Sequence, residues 1–118
     1  MVSSDFRRAL ETATRFGQPL RDPRLCEVER LWTGELDRLI RRYFAGESID
    51  GWESQRDVVA RVSAVVGEFG DDALYVGHGT SLTLYFKDRC PGLDAYGFWA
   101  WLRNPDAWQL RGDSLTRL

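Results

Sequence analysis

A chain of 118 residues with 43% hydrophobic and 13% aromatic residues can bury a real core, and a single domain is the default expectation. A net charge of -2 and an isoelectric point near 5.4 carry no footprint for nucleic acid. Two cysteines, Cys26 and Cys90, suggest no disulfide framework and fit a reducing compartment, while no stretch approaches about 18 consecutive apolar residues. No signal peptide precedes the first expected helix, so a cytoplasmic protein without membrane contact is expected.

In chain order, Ser3 or Ser4 is a good N-cap for a helix that should run to Phe16 and stop at Gly17. Phe6, Ala9, Leu10, Ala13 and Phe16 fall on one face at helical spacing. Arg7 and Arg8 in its first turn sit badly with the positive end of the helix dipole unless an oxyanion is held there; two solvated arginines are the alternative. Gln18 to Pro23 reads as an extended connector broken by Pro19 and Pro23. From about Thr33 to Ala45, Leu36, Leu39, Ile40, Tyr43 and Phe44 make an amphipathic helix that Gly46 stops. After a loop over 46–52, Ser54 caps a long helix with Asp57 as capping-box partner. Val58, Val59, Val62, Val65, Val66 and Phe69 line its buried face, and it ends at Gly70.

Ala73 to Val76 is an apolar run that reads as a short buried strand, and Gly77-His78-Gly79-Thr80 as the turn opening a helix over Ser81 to about Phe86. Ligands of open α/β sheets sit beyond the carboxyl ends of strands, and the N–H groups of a helix N-terminus favour anions. His78, the only histidine, therefore points at an anion, although such a turn also suits a histidine that is merely capped or packed. A turn at Asp88 to Gly92, a helical segment near Asp94 to Leu102 and a hairpin of Trp108–Leu110 with Ser114–Leu118 around Arg111-Gly112-Asp113 close the chain. The aromatic cluster Tyr96, Phe98, Trp99, Trp101 and Trp108 is expected to serve packing rather than stacking of a ligand.

Ser3-Ser4-Asp5-Phe6-Arg7-Arg8-Ala9-Leu10-Glu11-Thr12-Ala13, followed by Leu74-Tyr75-Val76-Gly77-His78-Gly79-Thr80, resembles the histidine phosphatase superfamily, the phosphoglycerate-mutase-like phosphatases. Arg24-Leu25-Cys26-Glu27 looks like the family's Arg-Leu-x-Glu segment, Glu53-Ser54 like the Glu-Ser before its long helix, and Arg61-Val62 like the Arg-Val within it. The resemblance covers roughly Val2 to Leu110 and implies an α/β fold, the three-layer α/β/α phosphoglycerate-mutase-like sheet, here N-terminally truncated. It implies a phosphate pocket with Arg8, His78 and the N–H of Gly79 as phosphate-binding groups, His78 also being catalytic. Glu27 matches the catalytic proton donor to the leaving oxygen; taken by themselves, Glu27, Glu29 and Glu35 could each equally be solvated. No metal or organic cofactor is implied, and the partner would be phosphate or a small phosphorylated molecule.

The family's nucleophile is a histidine in an Arg-His-Gly segment on the first strand, and no residue here replaces it: His78 matches the second histidine, the cysteines lack an adjacent histidine, and the serines lack a base. Three accounts follow. The chain is a fragment, which the position of Met1 favours; or a short protein that keeps a phosphate- or protein-binding surface without catalysis; or a site completed by a strand from another polypeptide. A missing central strand leaves an unpaired sheet edge and an uncovered apolar face, so the isolated chain is expected to be marginally stable or to self-associate through that edge. Sedimentation and thermal melting check this: a monomer with high, cooperative stability would count against it.

Overall fold

The computed structural model describes every residue except Trp32 and Thr33. Its elements run β1 (Val2–Ser3), α1 (Arg7–Ala13), β2 (Leu20–Arg21), a 3-10 turn (Pro23–Leu25), α2 (Leu36–Phe44), α3 (Gln55–Phe69), β3 (Tyr75–Val76), α4 (Gly79–Arg89), α5 (Ala95–Trp101), β4 (Trp108–Arg111) and β5 (Ser114–Arg117). The chain is thus a compact mixed α/β protein with five α-helices and a small parallel sheet among the described residues.

The sheet has the order β2-β1-β3, with Val2 opposite Leu20 and Tyr75, and Ser3 opposite Arg21 and Val76. The chain leaves β1 for β2 on one side, then passes back beyond β1 to β3 on the other. This reversal opens a crevice at the carboxyl ends of β1 and β3, where an open α/β sheet receives its ligand. β4 and β5 form a separate antiparallel pair with Leu110 opposite Leu115, so β3 is an edge of the described sheet.

The apolar stripes of α3 and α4 run through both core clusters. Val62 and Val65 join Val2, Leu25 and Tyr85 in one cluster; Val58 joins Val28, Ile40, Tyr43 and Leu84 in the other. α3 is capped as its sequence demands: Ser54 Oγ accepts the Asp57 N–H at 3.1 Å, and Gly70 ends the helix with φ +87°. Asp94 caps α5 in the same way, its carboxylate accepting the Gly97 N–H at 3.2 Å.

Several sequence expectations need correction. The first helix does not begin at Ser3 or Ser4: Ser3 is taken by the central strand, and α1 starts at Arg7 with Phe6 as N-cap. Two neighbouring strands give Val2 and Ser3 more backbone hydrogen bonds than a first helical turn could, and this outweighs local capping preference. α1 also stops at Ala13, so Phe16 is 71% exposed rather than part of the buried face, which reduces to Ala9 and Ala13 with Leu10 half-buried. The connector after α1 contains β2, which its two prolines concealed. α2 spans Leu36–Phe44, and the expected start at Thr33 lies outside the described residues. α4 begins two residues earlier and ends three later than Ser81 to Phe86. Among the terminal aromatics, Phe98 is buried, but Trp101 is 60% exposed with the Arg117 guanidinium 4.0 Å from its ring centroid.

Candidate functional site

β1 ends at Ser3 and β3 at Val76, and the residues that follow them meet in the crevice. His78 is the N-cap residue of α4 and is buried, with 7% of its surface exposed. Its Nε2 lies 2.9 Å from Oγ of Ser4, itself fully buried, and the Phe6 ring packs edge-on against the imidazole at 5.0 Å. The expectation that no serine has a base is therefore corrected: Ser4 touches His78 across 74 positions of sequence, a proximity that only the parallel pairing of β1 with β3 creates.

Glu27 follows the 3-10 turn and reaches the same helix end. Its Oε2 accepts the Thr80 N–H at 3.0 Å, and its Oε1 accepts the Ser81 N–H at 2.8 Å and the N–H of Val28 at 2.9 Å. A carboxylate on the first-turn amides of a helix is favoured by both hydrogen bonding and the dipole. Glu27 is thus half-buried and partnered: both oxygens are occupied as acceptors. Glu29 and Glu35, the other two candidates, are exposed. Glu27 leaves unclaimed the Gly79 N–H, for which no protein acceptor is found among the described residues.

Arg61 of α3 organises the segment that carries Glu27. Its Nε and Nη2 hold the two oxygens of Glu53, each at 2.9 Å, while Nη1 donates to the carbonyls of Arg24 and Cys26 at 2.8 and 2.7 Å and Nη2 to that of Glu27 at 3.2 Å. Arg61 holds the Glu53 carboxyl below the usual carboxylate range, against the opposing effect of burial. Of the two arginines in the first turn of α1, Arg7 bonds Glu11 at 3.0 Å on the surface, an ordinary i, i+4 pair. Arg8 is exposed, and its charge acts on His78.

A cleft of about 620 Å³ opens beside these groups, lined among others by Phe6, Cys26, Glu27, Arg30, Glu53 and Arg61. Arg30, which local pattern did not single out, lies over the Trp52 ring at 5.3 Å and donates to Thr80 Oγ1 at 3.3 Å. The structure thus brings His78, Gly79 and Glu27 together, while Arg8 is exposed on α1. Ser4, Cys26, Arg30 and Arg61 join them without having been singled out as site residues; for Arg61 the Arg-Val match was the one available signal. Among the described residues no group of three or more His, Cys, Asp or Glu side chains could hold a metal ion, and no helix is long and apolar enough to cross a membrane.

Burial pushes the His78 imidazole below its ordinary value; Glu27 opposes the shift, and Arg8 and Arg61 reinforce it. A histidine with a depressed folded-state value binds fewer protons folded than unfolded. Its contribution to stability is therefore complete above about pH 6.5 and is lost as the pH falls below that. Urea unfolding between pH 8 and 5 should show this decline, and His78→Gln should remove it while leaving a separate acid loss below about pH 4.3, where Glu53 titrates in the unfolded chain. A wild-type profile flat down to pH 5 would contradict the assignment.

Comparison with models of known protein families, with curated proteins and with solved structures gave no match.

Proposed function

We propose that the chain is a histidine-phosphatase-like phosphate site that is not catalytic by itself. In a complete protein it would serve phosphomonoester hydrolysis or phosphoryl transfer through a phosphohistidine. The observation that carries this reading is the meeting at one helix N-terminus of the buried His78 imidazole and the unclaimed Gly79 N–H, with exposed Arg8 on α1 acting on His78 through its charge. Donors and positive charge grouped in this way are what the oxygens of a phosphoryl group require. The finer fold reading, a phosphoglycerate-mutase-like sheet lacking its first strand, is supported by β3 standing at the edge of its sheet, with the β4–β5 hairpin forming a separate sheet. A strand added there would deliver a nucleophilic histidine next to His78.

In this reading Arg8, Gly79 and His78 bind the phosphoryl oxygens, and Glu27, once ligand has drawn it away from the Thr80 and Ser81 amides and it has taken up a proton from solvent, passes that proton to the leaving oxygen. A second reading, a binding module without chemistry, is favoured by one fact: with a single histidine the chain cannot supply both a phosphohistidine and a second histidine beside it.

Phosphate should protect the chain against thermal unfolding, by about 2.7 kcal/mol at a hundredfold excess over its dissociation constant, without any hydrolysis of a phosphomonoester. Chloride at matched ionic strength should not protect, and Arg8→Ala or His78→Ala should abolish the effect. Absence of protection in the wild type would remove the phosphate reading. Turnover abolished by both substitutions would instead show that the nucleophile is present after all.

A further inference from the structure

Ser4, Cys26 and Asp5 form a line of hydrogen bonds that runs outward from His78. His78 Nε2 is 2.9 Å from Ser4 Oγ, Ser4 Oγ is 3.3 Å from Cys26 Sγ, and Cys26 Sγ is 2.9 Å from Asp5 Oδ1. Ser4 Oγ also accepts the Phe6 N–H at 3.1 Å.

A hydroxyl has one hydrogen and two acceptor sites, a thiol has one hydrogen, and a carboxylate only accepts. The direction of the line follows from its outer end. Asp5 can only accept, so the thiol hydrogen goes to it; burial, and then the Asp5 carboxylate, push the thiol up and keep that hydrogen on sulfur. The sulfur is left as an acceptor for the Ser4 hydrogen. The Ser4 oxygen then accepts twice, from Phe6 N–H and from His78. The opposite sense would leave Cys26 Sγ without a donor and would put a hydrogen on Nδ1, for which no protein acceptor is found among the described residues. His78 keeps 7% of its surface exposed, and Nδ1 is not among the fully buried unpartnered side-chain atoms of the described residues.

We infer that Asp5, Cys26 and Ser4 are positioning residues that hold neutral His78 with its hydrogen on Nε2, leaving Nδ1 as a bare base. Protonation then adds one hydrogen at Nδ1, taken from solvent or from an acidic ligand O–H, and leaves the line of hydrogen bonds unchanged. The imidazolium so formed faces Glu27, which favours it, and Arg8 and Arg61, which oppose it. Neutral His78 thus suits a ligand that carries a hydrogen, and charged His78 the same ligand without it.

This inference concerns the free protein and does not depend on the phosphate reading. His78 is the only histidine, so its ring nitrogens are assigned without ambiguity in nitrogen-15 spectra. Above the titration, the wild type should show a protonated Nε2 and a bare Nδ1; a protonated Nδ1 overturns the inference. Cys26→Ala removes the acceptor of the Ser4 hydrogen, which should turn to Nε2 and switch His78 to the Nδ1–H form, whereas Cys26→Ser should keep the wild-type form. An unchanged tautomer in a folded Cys26→Ala variant overturns the role of the thiol. Asp5 is exposed, so Asp5→Ala keeps the fold testable; it removes the acceptor of the thiol hydrogen, which should turn to Ser4 Oγ, send the Ser4 hydrogen to Nε2 and shift His78 towards the Nδ1–H form. No change there overturns the directed line. A wild-type Nε2–H tautomer in a protein that binds no phosphate would sink the phosphate reading alone.

Discussion

Arg61→Ala is expected to destabilise the protein by about 3–5 kcal/mol, the cost of removing one partner from a largely buried ion pair. The Arg61 and Glu53 side chains are only 20% and 19% exposed, and the five N–H donors of the guanidinium are all engaged. Alanine would strand the Glu53 carboxylate and leave the carbonyls of Arg24, Cys26 and Glu27 to find water. Because those carbonyls belong to the segment that places Glu27 and Cys26, the loss should extend to the site. A domain of this size holds only about 5–15 kcal/mol in total, so a fall in melting temperature of more than about 10 °C follows. Arg61→Lys keeps the charge but not the fork and should lie between alanine and wild type. Urea unfolding of Arg61→Ala, Glu53→Gln and the double variant checks this. A loss below about 1 kcal/mol for Arg61→Ala would mean that the clasp is no stronger than a surface pair.

Glu27→Ala is expected to cost about 2–4 kcal/mol, since three backbone N–H donors lose a charged acceptor at once. Thr80 and Ser81 are 1% and 0% exposed, so water reaches their amides poorly and cannot fully replace the carboxylate. Glu27→Gln should cost less, because the amide keeps one acceptor oxygen but turns an NH2 group towards an N–H. The same substitutions separate two uses of Glu27. A carboxylate that competes with an anion for the α4 amides makes Glu27→Ala bind phosphate more tightly than wild type despite its lower stability. Unchanged or weaker phosphate binding in the folded variant would mean that Glu27 does not occupy the anion's place.

Much of the helical framework was legible because its signals are local. Ser54 and Gly70 bound α3, Asp94 caps α5, and the valines of α3 repeat at helical spacing, so these elements follow from nearest-neighbour chemistry. The hairpin was legible through its Arg-Gly-Asp turn. β1 and β2 were not, because a two-residue strand has no period to detect and exists only through its pairing partners. Val2 and Ser3 are strand residues because Leu20–Arg21 and Tyr75–Val76 lie on either side of them.

For the site, local pattern was enough to mark His78, a histidine between glycines at a strand end, whereas Glu27 stood apart from Glu29 and Glu35 only through the Arg-Leu-x-Glu resemblance. What those residues touch was decided by the folded chain. The Ser4–His78 bond, the seat of Glu27 on the α4 amides and the Arg61 grip on the carbonyls of Arg24, Cys26 and Glu27 each join residues 34 to 74 positions apart. Such contacts depend on which strand lies beside which, and strand order is a property of the whole sheet that no local run of residues encodes.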